Sequence, residues 1–127
     1  MEDYGHNCRV GREGEDLSCR YLIGRGHVII DRNWRAGHLE IDIVSMASDG
    51  IHFVEVKSRT VPFEAQPQES VTRSKQRKLY AAARRYLACR DGMLAGEMEC
   101  HFDIISVIFR RGRADIRLFP DAFIPGI

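Results

Sequence analysis

A chain of 127 residues with 44% hydrophobic content is long enough for one buried core, and a single domain spanning 1–127 is expected. Met1 to Asn7 are polar and acidic and no apolar run approaches bilayer length, so the reading is a cytoplasmic chain, neither secreted nor membrane-bound. A net charge of +1 excludes arguing polyanion binding from the total, and Cys8, Cys19, Cys89 and Cys100 form no C-x-x-C pair, which argues against a zinc knuckle or disulfide framework and for reduced, mostly buried thiols.

From about Cys8 to Leu22, Val10, Gly14, Leu17 and Tyr21 fall three and four apart, a helical stripe with Asn7 as its N-cap. Gly24-Arg25-Gly26 stops that helix. His27 to Trp34 then has the β-branched centre of a first strand. Leu39 to Met46 and Ile51 to Ser58 are two further strands around Ser48-Asp49-Gly50, a hairpin signal because Asp-Gly suits the positive φ of a tight turn. Val61 to Glu69, with two prolines and no periodicity, reads as a surface loop. Thr72 caps a second helix running to about Arg90, with Leu79, Ala82, Ala83, Tyr86 and Leu87 as its apolar stripe and Asp91-Gly92 as its end. Cys100 to Phe109 has the apolar, β-branched pattern of a strand buried on both faces, and Ala114 to Phe119 supplies an edge strand.

The hairpin carries the chemistry. Side chains of a strand alternate between faces, and opposed residues share a face. A two-residue Asp49-Gly50 loop sets Asp42 opposite Lys57; a Ser48-Asp49 loop sets it opposite Glu55. In either register Asp42, Glu55 and Lys57 are expected on one face, with Glu40 beside them and Val44, Met46, Ile51 and Phe53 continuing it toward the turn. Charges at a core margin need a partner or a metal. Two carboxylates and an ammonium suit phosphodiester hydrolysis, with Asp42 and Glu55 as oxygen ligands to Mg²⁺ and Lys57 orienting water or offsetting charge on the phosphoryl oxygens. Spacing alone favours the plainer alternative, a cross-strand ion pair worth about 0–1 kcal/mol.

Asp42 followed by Glu55-Val56-Lys57, after a helix carrying Glu15, resembles the PD-(D/E)xK nuclease superfamily, although Ile41 stands where that motif has proline. The chain is more closely similar to the YraN-like family of small bacterial predicted endonucleases. That likeness rests on Gly11-Arg12-Glu13-Gly14-Glu15-Asp16-Leu17, Arg32-Asn33-Trp34-Arg35, Glu40-Ile41-Asp42, Phe53 to Arg59, Val71-Thr72 with Lys75, and Phe102-Asp103-Ile104-Ile105. The resemblance implies an α/β fold with a restriction-endonuclease-like αβββαβ core, its mixed sheet flanked by helices. It also implies a Mg²⁺- or Mn²⁺-dependent endonuclease acting on structured or single-stranded DNA. Gly11 and Glu15 fit the first-helix Gly-x-x-x-Glu of the similar archaeal Holliday-junction resolvases, and Gln76 and Tyr80 fit the Gln-x-x-x-Tyr of RecB-type nucleases.

Glu15 is therefore a candidate catalytic residue, with a purely structural role as its competitor, since it is expected in the first turns of the helix, where a carboxylate favourably meets the dipole. Glu40 is a metal-site neighbour or a partner for Arg35. Lys75 and Gln76 precede Leu79 by four and three residues, which turns them toward the sheet, and Arg73, Arg77 and Lys78 are placed to track a DNA backbone without reading sequence. Asp103 is expected to pair with a basic residue or a backbone donor. His6, His27, His38, His52 and His101 are dispersed, which disfavours a histidine metal site, and the lone Trp34 reads as a core anchor. The alternative function is a noncatalytic nucleic-acid-binding module on the same fold. A homodimer in which each site cuts one strand is the third arrangement considered.

Overall fold

The computed structural model describes residues 2–61, 72–90 and 98–123. Helix α1 (Glu2–Gly24) leads into three strands, β1 (Val28–Ala36), β2 (Leu39–Ala47) and β3 (Gly50–Thr60); α2 (Arg73–Cys89) precedes β4 (Cys100–Arg110) and β5 (Arg113–Phe119). The five strands lie in one mixed sheet in chain order. β3 and β4 pair in parallel, and every other pair is antiparallel. A parallel pair needs a long crossover, and α2 lies within it. The arrangement is the expected αβββαβ core extended by the edge strand β5. The expected loop at 61–69 and stop at Asp91-Gly92 lie outside the described residues, apart from Val61.

The helices cover opposite faces of the sheet. Leu79, Ala82, Ala83 and Tyr86 of α2 pack on Ile41, Val44, Ile51, Phe53 and Phe102, with Trp34 joining edge-on to Tyr86 as the expected core anchor. Cys19 and Leu22 of α1 pack on Ile43, Val54, Ile105 and Val107. Burial of such side chains contributes about 1.5–3 kcal/mol each. Thr72 caps α2 as expected, its Oγ1 accepting from the Lys75 N–H at 3.2 Å.

Several expectations on the first helix and the thiols are corrected. Asn7 lies inside α1 instead of capping it. The buried stripe is Gly14, Ser18, Cys19 and Leu22, rotated from the one expected, while Val10, Leu17 and Tyr21 are half-buried. Glycine at position 14 is what permits this: a Cβ there would stand 1.8 Å from Ser58 Oγ and 3.1 Å from its Cβ, so α1 lies directly against β3. Of the thiols, Cys19 is buried, but Cys89 and Cys100 are exposed.

Candidate functional site

The β2–β3 pairing follows the register set by a Ser48-Asp49 loop: Ala47 opposes Gly50 and Ile43 opposes Val54. The next pair in that register would be Asp42 with Glu55, and there the ladder ends. Instead the Asp42 carboxylate reaches across and accepts from the Val56 N–H at 2.9 Å. Alternation slips at the same point: Ile41 and Val44, three residues apart, both pack under α2, whereas Ile43 packs under α1. On the facing strand, Asn33 takes a left-handed φ of 52°. A residue out of step re-aims its neighbours, a common device beside active sites.

The expected single charged face is met by Glu55 and Lys57, 3.7 Å apart, and corrected for Asp42, which lines the cleft on the other side while still feeling the charge of Glu55. Asp42 lines a cleft of about 520 Å³ on the α1 side, with Gly11, Glu15, Lys57 and Ser58. Val44, Met46, Ile51 and Phe53 belong to the α2 face. Glu55 lines a smaller depression on that side with His38, Glu40, Lys75, Lys78 and Leu79. Lys57 links the two, since it lines the cleft while its Nζ stands 3.7 Å from Glu55 Oε1.

Burial shapes the electrostatics. Asp42 is only 8% exposed. Desolvation, and then the charge of Glu55, pushes its carboxyl up to about 8. No ion pair within 4.0 Å reaches Asp42 among the described residues, and the hydrogen bond from the Val56 N–H offsets its burial only in part. Burial, followed by the approach of Lys75, lowers the Lys57 ammonium below its usual range. Glu15 is also raised by burial, against a hydrogen bond from Asn33 and the pull of Arg32 at 3.9 Å. Because α1 begins at Glu2, Glu15 stands more than three turns from the helix start, beyond the reach of the N-terminal dipole. The dipole role for Glu15 is thereby removed.

The remaining candidates divide. Lys75 is exposed yet lines the depression beside Glu55 with Lys78; Arg73 and Arg77 are exposed on the same helix. Gln76 lines a pocket with Arg117, Phe119 and Phe123. Glu40 pairs with Arg35 at 3.2 Å, as expected. Asp103 also finds both expected kinds of partner, His52 Nδ1 at 2.7 Å and the Asp121 N–H at 2.9 Å.

Sequence spacing missed a second cluster. The parallel register sets His52 beside His101, their rings stacked at 4.5 Å, and the hairpin turn brings Asp49 to both. One donor atom from each of these three residues lies within 4.8 Å of the others, so the group could hold a metal ion. The inference from dispersal, that the histidines form no metal site, is corrected. Their separation along the chain hid them, and only the β3–β4 pairing reveals it. Among the described residues this is the group of three such side chains that draws so close, so Glu15, Asp42 and Glu55 do not close to that separation together.

Fold and site thus define a mixed-sheet α/β protein with a restriction-endonuclease-like core and a carboxylate–lysine cleft where its central hairpin parts. The chain belongs to the uncharacterised protein family UPF0102, whose pattern it matches over residues 14–107. Among similar curated proteins, a UPF0102 protein of Nitratidesulfovibrio vulgaris (strain DP4) is 40% identical over 114 residues, covering 90% of this chain and 83% of the relative. One from Chlorobium chlorochromatii is 39% identical over 107 residues (84% and 80%), and one from Myxococcus xanthus 39% over 117 (92% and 90%). No helix among the described residues is long and apolar enough to cross a membrane.

Proposed function

We propose that this protein is a metal-dependent endonuclease that hydrolyses phosphodiester bonds of structured or single-stranded DNA, with work in DNA repair or recombination. The observation that carries the reading is the parting of β2 and β3 at Asp42, which sets a buried carboxylate without a cationic partner into a cleft with Lys57 and Glu15. Such a donor set fits a hard divalent cation, because an ion would offset the charge that burial and Glu55 make costly. Asp42 and Glu55 would hold Mg²⁺ or Mn²⁺. When bound, the ion polarises a phosphoryl oxygen and lowers the pKa of water.

The chain's own side chains supply the rest. Lys57, with its depressed pKa, suits acceptance of a proton from the attacking water; in its charged form it offsets charge developing on the phosphoryl oxygens. Glu15 orients water from the α1 side of the cleft. Lys75 and Lys78 beside Glu55, with Arg73 and Arg77 on the same helix, hold the DNA backbone through contacts that carry no sequence information.

The test is cleavage of branched, flapped and single-stranded DNA by purified protein with Mg²⁺ or Mn²⁺, beside Asp42→Ala and Lys57→Met. Cleavage by the unaltered protein and loss of at least a hundredfold in both variants is expected. A second reading, a noncatalytic nucleic-acid-binding module, takes support from the failure of Glu15, Asp42 and Glu55 to converge as a trio. DNA binding without cleavage, unchanged in Asp42→Ala, would establish that reading instead.

A further inference from the structure

At the opposite end of the β2–β3 hairpin from Asp42, the turn and the start of β4 enclose a set of side chains that the nuclease reading does not use. Each of two rings has its Nδ1 against an aspartate: His52 to Asp103 Oδ2 at 2.7 Å, and His101 to Asp121 Oδ1 at 2.8 Å. Carboxylates only accept, so each Nδ1 carries the hydrogen. The Nε2 atoms then both turn to Asp49, whose backbone carbonyl oxygen lies 3.0 Å from His101 Nε2. His52 Nε2 lies 2.7 Å from Asp49 Oδ1, and His101 Nε2 lies 3.7 Å from Asp49 Oδ2 and 3.3 Å from Glu99 Oε2.

With Nδ1–H donated, a neutral ring presents a lone pair at Nε2. Lone pairs facing carboxylate oxygens repel. Without a metal, the hydrogen bonds and charges of Asp49, Asp103 and Asp121 outweigh burial and hold both rings toward the protonated form, which stacks two cations 4.5 Å apart. One divalent ion resolves both conflicts: it replaces the Nε2 protons, binds Asp49, and leaves both Nδ1–H···carboxylate bonds in place. An aspartate behind each ligating histidine is the arrangement that fixes tautomer and ring orientation in metal sites. The spacing agrees. Donors about 2.0–2.2 Å from a tetrahedral zinc lie roughly 3.3–3.5 Å apart; Asp49 oxygens lie 2.7 Å from His52 Nε2 and 3.7 Å from His101 Nε2, and one donor atom from each of the three residues lies within 4.8 Å of the others.

We propose that His52 Nε2, His101 Nε2 and Asp49 form a three-ligand zinc site, its fourth position open to water, that clamps the β2–β3 turn to the first residues of β4, with Asp103 and Asp121 orienting the two rings. Imidazole nitrogens favour zinc and its transition-metal neighbours, whereas Mg²⁺ takes oxygens, so this site and the Asp42 cleft select different ions. The Asp103 carboxylate, 1% exposed, also accepts from the Asp121 N–H, which ties the segment after β5 to the same assembly. The site is independent of whether the chain cuts DNA.

The experiment is titration of metal-stripped, full-length protein with Zn²⁺ against a chromogenic chelator, together with thermal melting before and after Zn²⁺. Asp49 is largely exposed, so Asp49→Asn preserves the fold, which far-ultraviolet circular dichroism verifies; His101→Gln is the second variant. One Zn²⁺ per chain is expected at this site, with a rise in melting temperature. Each variant should weaken binding at least tenfold and lose the rise, while Asp42→Asn keeps both. Absence of Zn²⁺ binding, equal binding in Asp49→Asn, loss of binding in Asp42→Asn alone, or displacement by a hundredfold excess of Mg²⁺ would overturn the assignment.

Discussion

Replacing Asp42 by asparagine keeps the shape and the acceptor for the Val56 N–H while removing a charge buried without a cationic partner. The carboxyl titrates at about 8 in the folded protein against 3.8 for the free group. Between those values the native state binds one proton more than the unfolded chain, so stability falls as pH rises, by about 1.36 kcal/mol per pH unit from this one group. The loss begins above the lower value and levels off beyond about 8. From pH 5.5 to 7.5 the metal-free protein should therefore lose about 2.7 kcal/mol relative to Asp42→Asn. For a chain of this length that opens a gap of roughly 10 °C in melting temperature. Urea unfolding of both proteins in chelator, at half-unit steps of pH, measures the difference directly. Adding millimolar Mg²⁺ should close the gap in the unaltered protein only. A stability difference that stays constant across the pH range would refute the claim that burial and Glu55 hold the Asp42 carboxyl well above its usual range.

Three other substitutions probe the architecture. Gly50→Ala should destabilise by about 2–4 kcal/mol in chemical denaturation, because φ is +131° and a Cβ would stand 2.3 Å from the Glu99 carbonyl oxygen. Tyr86→Phe should cost about 1–2 kcal/mol by the same measurement, since the hydroxyl donates to Asp31 Oδ2 at 2.6 Å and accepts from Arg90 Nε at 3.0 Å, in a site where Asp31 also pairs with Arg90. Gly14→Leu should cost about 1–3 kcal/mol by forcing α1 off Ser58, and should lower cleavage as well, because Glu15 would move with the helix. Preserved stability with preserved cleavage would show that the α1–β3 contact does not position the cleft.

Local chemistry made much of this protein legible in its sequence. Period-two and period-3.6 apolar patterns marked the strands and the α2 stripe, because burying one face is a local demand on residue order. The capping threonine and the hairpin turn were readable for the same reason. The charge cluster at Asp42, Glu55 and Lys57 was visible too, since three ionisable residues at a core margin stand out in an apolar hairpin.

What depended on contact between distant segments had to come from the tertiary structure. The choice between two hairpin registers, and the slip that turns Asp42 from the α2 face to the α1 cleft, depend on how β1 and α1 pack. Lys75 and Gln76, one helical step apart, line different pockets, a division set by how α2 sits on the sheet. His52 and His101 lie 49 positions apart and meet only through a parallel strand pair, whose crossover leaves no periodic trace in sequence. Residue order determined which segments would be helix or strand and which charges would need a partner; the packing of those segments decided which partner each charge could reach.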